Sequence, residues 1–195
     1  MKITLNSREY DLAPPIDISI PLRFDGPQPN AYGVGPATAR ACESGTLVGD
    51  TRRGGSCNFE QYTFTPHCNG THTECVGHIL NERTSILDCL QDALIPARLV
   101  SVVPEGTDGH LLIARKSLEA AAMSGPRAAA ASFSEHGDVR ALVVRTLPND
   151  ESNLTRSYGE MNIPPYFSID AMQYIVELGV DHLLFVLGLM LIVSD

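Results

Sequence analysis

The residues best suited to chemistry lie in one stretch of twelve, residues 67–78. The stretch reads HCNGTHTECVGH, and its three histidines are half of the six in the chain. It also contains Cys68 and Glu74, so imidazole, thiolate and carboxylate groups occur together. Such groups bind divalent metal ions, and an ion with an open position activates water and polarises a carbonyl group. The stretch therefore predicts a metal site, and hydrolysis is the chemistry that it would support.

The alternation of side chains in an extended chain indicates which of these groups share a face. Residues i and i+2 of a strand point the same way, which places Cys68, His72, Glu74 and His78 together and His67 on the opposite face. A helix would separate His72 from Glu74 by about 200°, and the glycine and two threonines disfavour a helix. We therefore predict an extended segment. The competing interpretation is a strand whose histidines are incidental or hydrogen-bonded in turns.

The mixture of donors bears on the identity of the ion. Nitrogen, sulfur and oxygen donors together favour zinc, whereas manganese or iron is preferred if Cys68 is not a ligand. One of the histidines would then be left for proton transfer. A purely structural zinc domain fits less well, because the five cysteines lack the paired C-x-x-C spacing usual in such domains.

The rest of the chain predicts strands that alternate with short helices, and so an α/β (α+β) domain with a mixed sheet. Strands are predicted at residues 59–65, 98–103, 111–114 and 141–145, and from Val180 onward, and residues 16–22 are predicted to be an edge strand or an extended arm. Helices are predicted at residues 85–94, 117–123 and 168–178, the last two with Ser117 and Ser168 as N-caps. Residues 24–56 are rich in Gly, Pro and Asn, which predicts a long, largely irregular segment.

The motif resembles the signature of the cyclase-like metal-dependent hydrolases, the family of bacterial kynurenine formamidase and isatin hydrolase, whose pattern is H-x-G-T-H-x-D-x-P-x-H. Here the aligned stretch is CNGTHTECVGH, in which Gly70, Thr71, His72 and His78 match outright. Glu74 stands at the family's bridging aspartate, a valine replaces the proline, and a cysteine occupies the place of the first histidine. Four further segments agree in character and order: IDISIPL, SILDCLQDALIPARLVSV, ALVVRT and GVDHLL. The resemblance therefore covers nearly the whole chain.

The resemblance implies a role for each matched residue. It implies that His72 and Glu74 are metal ligands, with Glu74 able to bridge two ions, and that His78 is the general acid/base. The first ligand is either Cys68, at the aligned position, or the neighbouring His67 if the strand bulges.

The resemblance also implies a fold, a substrate class and an ion. The implied fold is a mixed β-sheet or barrel core flanked by helices, the swivelling β/α arrangement of the family. Family members hydrolyse the C–N bond of small amides and cyclic amides, aryl formamides included, with metal-activated water attacking the carbonyl and His78 moving the proton. The family uses an aromatic residue near the N-terminus in its substrate pocket, and Tyr32 is the candidate for it by position. The resemblance thus predicts an arylformamidase-like amidohydrolase with a divalent ion, zinc or alternatively manganese.

Length, charge and cysteine usage exclude several other classes of function. The chain has 195 residues, which predicts a single domain over residues 1–195. Its formal charge of −9 argues against nucleic acid and anionic membrane surfaces as partners. The partner that the resemblance implies is a small-molecule amide substrate. Five irregularly spaced cysteines and a start without an apolar signal region indicate reduced thiols and a cytoplasmic location.

The end of the chain departs from the family pattern. Residues 183–193 read LLFVLGLMLIV, an apolar run too short to cross a bilayer as a helix, which takes about 20 residues. Such a run is typical of a buried strand or helix segment. In the family this region leads into a D-x-P-S-x-D segment, then a histidine and a glutamate that complete the metal site. Here no histidine follows His182 and no glutamate follows Glu177. We expect that truncation or a frameshift replaced the family's last portion and left an atypical tail at residues 185–195.

Two consequences follow from this departure. The alternative function is a non-catalytic or degenerate cyclase-like binding protein with an incomplete metal site. An exposed apolar tail would also favour burial against a second copy, which predicts a homo-oligomer.

Overall fold

A computed structural model describes residues 2–5, 8–124, 139–159, 162–180 and 182–186. Within these ranges the chain forms small sheets and four α-helices, so the predicted mixed α/β class is confirmed. The strands are β1 (Lys2–Leu5), β2 (Arg8–Asp11), β3 (Asn30–Ala31), β4 (Thr38–Ala41), β5 (Glu43–Ser44), β6 (Leu47–Val48), β7 (Glu60–Thr63), β8 (Ala97–Val102), β9 (Glu105–Thr107), β10 (His110–Ile113), β11 (Ala141–Thr146), β12 (Ser157–Tyr158), β13 (Tyr166–Phe167) and β14 (His182–Val186). The helices are α1 (Pro66–Asn69), α2 (Ile86–Cys89), α3 (Arg115–Met123) and α4 (Ile169–Glu177), with 3-10 turns at Thr51–Arg53, Val76–His78 and Glu151–Thr155.

The chain divides into two compact units. The first unit comprises Met1–Ile18, Glu74–Asp150 and Ile163–Asp195, and the second comprises Ser19–Thr73 and Glu151–Asn162. The sheets have two or three strands each. Among the described residues no sheet closes into a barrel, so the sheet version of the predicted core agrees with the structure and the barrel version does not.

The core of the first unit lies on a parallel sheet of order β14-β11-β8. Its central strand β11, sequence ALVVRT, has four of its six residues buried, as expected for a parallel strand covered on both faces. Helices α3 and α4 pack their apolar faces onto the same core. The buried cluster consists of Val100, Val102, Ile113, Leu118, Leu142, Val144, Ala171 and Ile175. Full burial of each of the larger side chains contributes about 1.5–3 kcal/mol, so this cluster is the main source of stability in the unit.

A second sheet of the first unit, of order β13-β10-β9, is mixed. Strand β10 pairs in parallel with β13 and antiparallel with β9. This confirms that a mixed sheet is present, as the alternation of strands and helices predicts.

Local signals at the helix starts are partly confirmed. Ser168 caps α4, because its hydroxyl accepts a hydrogen bond from the Ala171 amide at 3.4 Å. The predicted cap of α3 is wrong, since that helix begins earlier and its N-cap is Ala114. Ser117 lies inside α3, and its hydroxyl donates to Glu105 at 2.8 Å instead. The physical reason is that Glu105 of β9 offers this hydroxyl a carboxylate acceptor, so the hydroxyl donates to it and does not accept from a backbone amide.

One ion-pair group joins α3 to α4. The Arg115 guanidinium donates to Glu119 at 2.7 Å and to Glu177 at 2.8 Å, and it lies 5.0 Å from the centre of the Tyr174 ring. The hydrogen bonds to Glu177 and Glu119 raise the pKa of Arg115 above its ordinary value. This contact fixes the spacing of the two helices that cover the core.

The second unit has more regular structure than the sequence predicts. Residues 24–56 contain β3 to β6 and a 3-10 turn, which Asp50 caps by accepting from the Arg52 amide at 2.9 Å. By contrast, the edge strand, one of the two alternatives predicted for residues 16–22, does not form. The Ile20 amide there donates to the Thr71 hydroxyl at 2.9 Å. A side chain thus replaces the partner strand that this segment would need.

The last described residues belong to β14, which pairs in parallel with β11 and confirms the strand predicted after Val180. Residues 187–195, most of the predicted apolar tail, lie outside the described residues. Among the helices that can be described, none is long and apolar enough to cross a membrane.

Candidate metal centre

The motif stretch, residues 67–78, is not a continuous extended segment. It begins inside α1 and ends in the 3-10 turn at Val76–His78. The prediction of one shared face for alternate residues is therefore wrong. The reason lies just before the motif, where Pro66 occupies the first turn of α1, a position that suits its fixed φ and its missing amide hydrogen.

Helix α1 is held in place by a buried asparagine. Asn69 is 0% exposed, its side-chain oxygen accepts from the Thr65 amide at 2.7 Å, and its side-chain nitrogen donates to the Gly35 carbonyl at 3.3 Å. Cys68, also buried at 8% exposure, lies beside it on the inner side of the helix. The candidate ligand Cys68 is thus placed in the interior of its unit. Sequence reasoning assigned no role to Asn69.

His67 and His72 form a direct pair. The Nε2 atom of His72 lies 2.9 Å from Nδ1 of His67, and Nδ1 of His72 lies 3.2 Å from the Gly70 carbonyl oxygen. A carbonyl oxygen only accepts, so Nδ1 of neutral His72 carries the proton and its Nε2 accepts from Nδ1–H of His67. Nε2 of His67 is then the unprotonated nitrogen, which is the form that binds metal. His72 therefore orients His67 and fixes its tautomer.

Glu74 and His78 form a second pair four residues apart. A Glu74 carboxylate oxygen lies 3.6 Å from Nδ1 of His78, and about half of each side chain is exposed, 49% and 47%. Such an exposed pair contributes little to stability. The pair matters instead because the 3-10 turn brings a carboxylate and an imidazole close together.

Within the motif stretch, His67, Glu74 and His78 each offer one ligand atom, and these atoms lie within 4.8 Å of one another. Two imidazole nitrogens and one carboxylate oxygen fit a divalent ion and leave a position open, a set found with zinc and with non-haem iron. The structure thus contains a His/Glu group that could hold a metal ion. It brings His67 together with Glu74 and His78, whereas Cys68 and His72 are not in this group.

Tyr32, the predicted substrate-pocket residue, lies against His67. The two rings are stacked, with centres 6.3 Å apart and planes 3° from parallel. Tyr32 is 73% exposed and has a φ of +59°, a left-handed conformation that is uncommon for an aromatic residue. Strained conformations of this kind occur often at functional sites. The structure therefore places an accessible aromatic ring beside one of the candidate ligands.

Gly77 packs directly under the loop that follows the motif. A Cβ atom at this position would lie 2.4 Å from the Thr84 carbonyl oxygen and 3.0 Å from the Thr84 amide nitrogen. These are backbone atoms, which a rotamer change cannot relieve. Sequence reasoning missed the role of Thr84, and the glycine between two candidate site residues was the available signal of a close approach.

Replacing Gly77 by alanine is expected to lower the free energy of unfolding by about 1–3 kcal/mol, because the backbone of Thr84 must move away from the new Cβ atom. Since the turn also positions His78, metal affinity should fall as well. Gly106→Ala is the matched control, because no atom lies within 4 Å of its added Cβ. Urea denaturation and metal titration of both variants test this, and equal stability of the two would contradict the packing argument.

A separate groove of about 690 Å³ lies in the second unit. Polar residues from β4, β7 and the 3-10 turn line it, among them Arg40, Asp50, Arg52 and Tyr62. The side-chain hydrogen bond from Arg52 holds the pKa of Asp50 below its ordinary value. The predicted site residues are not part of this lining, and two of its charged groups, Asp50 and Arg52, are paired with one another.

Comparison with known proteins agrees with the motif. Neither the curated proteins nor the solved structures contain a match to this chain. The model of one family, described as Putative cyclase, matches residues 10–185. This match covers most of the chain and includes the motif, both core helices and all but the last residue of the parallel sheet. The chain therefore belongs to the Putative cyclase family.

Proposed function

We propose that this protein is a metal-dependent hydrolase that cleaves the C–N bond of a small amide or cyclic amide. An aryl formamide is the most specific form of the proposal. The observation that carries it is the group formed by His67, Glu74 and His78, located in a motif of a chain that belongs to the Putative cyclase family.

The proposed roles follow from the donor atoms. His67 and Glu74 would hold a divalent ion, zinc or manganese, which would supply Lewis-acid polarisation of a carbonyl and activation of water when it is bound. His72 holds His67 in the tautomer that presents Nε2. His78 is the proposed general acid/base, and the alternative is that it serves as a ligand while the His72 imidazole moves the proton.

Tyr32 is proposed to contact the substrate. Its exposed ring stacks on His67, and offset stacking of aromatic rings is worth about 0.5–1.5 kcal/mol beyond the area it buries. An aromatic amide could extend this stack.

The net negative charge of the chain favours a small molecule over nucleic acid as its partner. A cytoplasmic location and a homo-oligomer remain predictions.

We expect the purified protein to release formate from N-formylkynurenine or to open the ring of isatin only when loaded with zinc or manganese. Removal of the ion with a chelator should abolish turnover, and readdition should restore it. Glu82→Gln, an exposed carboxylate change outside the motif, is the control that should keep full turnover.

A second candidate function is a non-catalytic binding protein of the same family. The observation that favours it is the exposure of Glu74 and His78, because water competes with an ion at exposed ligands. Metal-loaded protein that hydrolyses no amide would contradict the hydrolase proposal and support this one.

A further inference from the structure

The groove of about 690 Å³ in the second unit is lined by segments that the backbone ties together. The Phe59 amide donates to the Gly49 carbonyl at 3.1 Å, and the Thr51 amide donates to the Asn58 side-chain oxygen at 2.9 Å. A Cβ atom on Gly49 would lie 2.3 Å from the Phe59 carbonyl oxygen, so a side chain there would force the two segments apart. The groove is therefore built into the local fold, and its volume is in the range of pockets that hold small molecules.

Arg52 in the lining of this groove is held in a fixed orientation by Asp50. The Asp50 carboxylate accepts from Nε and from Nη2 of Arg52, both at 3.0 Å. Asp50 is buried, whereas 87% of the Arg52 side chain is exposed. The two bonds engage one edge of the guanidinium, and its five N–H donors leave the Nη1–Nη2 edge for a second carboxylate. The pair therefore orients Arg52 and leaves it able to bind an anion.

Strands β4 and β7 supply a second part of the lining. Their register places Ala39 opposite Tyr62 and Ala41 opposite Glu60. Directly opposite residues of an antiparallel pair share a face, and so do alternate residues of one strand. The two alanine methyl groups therefore leave space beside the two longer side chains. The Tyr62 hydroxyl donates to Glu60 at 2.9 Å, and the other lone pairs of this exposed carboxylate are left for a cation.

The groove thus presents one cationic and one anionic group, Arg52 and Glu60. Phe59 connects their segments, because it precedes Glu60 and its amide is bonded to Gly49, which precedes Asp50. The hydrogen bond to Asp50 raises the pKa of Arg52 above its ordinary value, and the charge of Glu60 adds to this shift. A ligand that carries one charge of each sign therefore matches the groove better than a simple anion or a simple cation does.

We propose that this groove binds a free α-amino acid with an apolar side chain. The carboxylate of the ligand accepts hydrogen bonds from Arg52, and its ammonium group donates to Glu60. The apolar side chain lies over the methyl groups of Ala39 and Ala41, beside the Tyr62 ring. None of the candidate metal ligands is part of this lining, so the binding goes beyond the proposed hydrolase function and does not depend on it.

The test is calorimetric titration of the protein with L-phenylalanine in metal-free buffer. We expect saturable binding. Two analogues examine the two charges of the ligand: 3-phenylpropionate lacks the ammonium group, and phenethylamine lacks the carboxylate. Each analogue should bind about tenfold or more weakly than L-phenylalanine, because each loses hydrogen bonds between charged groups.

Variants of the two charged residues assign each contact. Arg52→Gln should lower the affinity for L-phenylalanine about tenfold or more and leave that for phenethylamine unchanged. Glu60→Gln should lower the affinity for L-phenylalanine and leave that for 3-phenylpropionate unchanged, since glutamine still accepts from Tyr62. Arg53→Gln is the matched control, because Arg53 lies in the same 3-10 turn, pairs with Glu43 and is not part of the lining.

Ala41→Leu fills the groove without changing its charge, and it should also weaken the binding of L-phenylalanine. Thermal unfolding of each variant shows whether it is folded, so a folded Ala41→Leu protein keeps the test decisive if Arg52→Gln does not fold. Absence of saturable binding to the wild-type protein would overturn the proposal. So would equal affinities for L-phenylalanine and phenethylamine, or an equal loss in Arg53→Gln and Arg52→Gln. Failure of the hydrolase function is a separate result, since it is measured by turnover of the metal-loaded protein.

Discussion

Replacement of Glu74 by glutamine is expected to lower the affinity of the protein for zinc or manganese by about 100-fold or more. Loss of a group that only supports a ligand costs 10–100-fold, and Glu74 is the one carboxylate in the His67, Glu74 and His78 group. Glutamine keeps the size of the side chain but has no negative charge to attract a divalent ion. It also loses the charged partner of His78 at 3.6 Å.

Isothermal titration with each ion measures this effect, and the control is Glu82→Gln. Both variants remove one negative charge, so any general effect of net charge is shared between them. Thermal unfolding of the ion-free proteins should show that both are folded, since Glu74 is half exposed and makes little contribution to stability. Equal metal affinity of the two variants would show that Glu74 is not a metal ligand.

The second large effect is expected for His78→Ala. In an active protein, turnover of the amide substrate should fall by about 100-fold or more, the usual contribution of a general acid or base. The loss should be in kcat if His78 only moves a proton. Steady-state kinetics at saturating metal, with the metal content of the same sample measured in parallel, tests the prediction.

The metal content then separates the two roles of this histidine. Full metal content with lost turnover assigns His78 to proton transfer, and loss of the ion together with turnover assigns it to coordination. His72→Ala is the complementary variant, because it should loosen the orientation of His67 and weaken metal binding without removing a member of the group. Unchanged turnover in His78→Ala would exclude both roles.

The elements that were predicted best are those whose signals are local. The run ALVVRT is apolar on both faces and forms the central parallel strand β11. Ser168 precedes an apolar stripe of helical period and caps α4 as predicted. The helix predicted at residues 85–94 shrinks to the single turn of α2, and the cap of α3 moves to Ala114. In α3, Ser117 was predicted to be the cap, but its hydroxyl donates to Glu105 of a distant strand instead.

The candidate site was predictable in composition and not in geometry. The residue types in the motif indicated metal chemistry, and the structure contains a His/Glu group that could hold a metal ion. The alternation of side chains placed His67 apart from Glu74 and His78, whereas one helical turn begun by Pro66 and a 3-10 turn seated against Thr84 reverse that arrangement. A strand pattern cannot reveal the second of these turns, because it depends on a loop that comes later in the chain.

The burial of Asn69 has a consequence for how this protein can be produced. Asn69, Gly70 and Thr71 form an acceptor sequence for N-linked glycans. The side-chain nitrogen that would bear the sugar instead donates to the Gly35 carbonyl in a site with no access to solvent. An oligosaccharide added before folding would have no room in the finished turn and would keep α1 from forming. Secretion from a eukaryotic host would therefore compete with folding of the second unit, whereas synthesis in a bacterial cytosol leaves the asparagine unmodified.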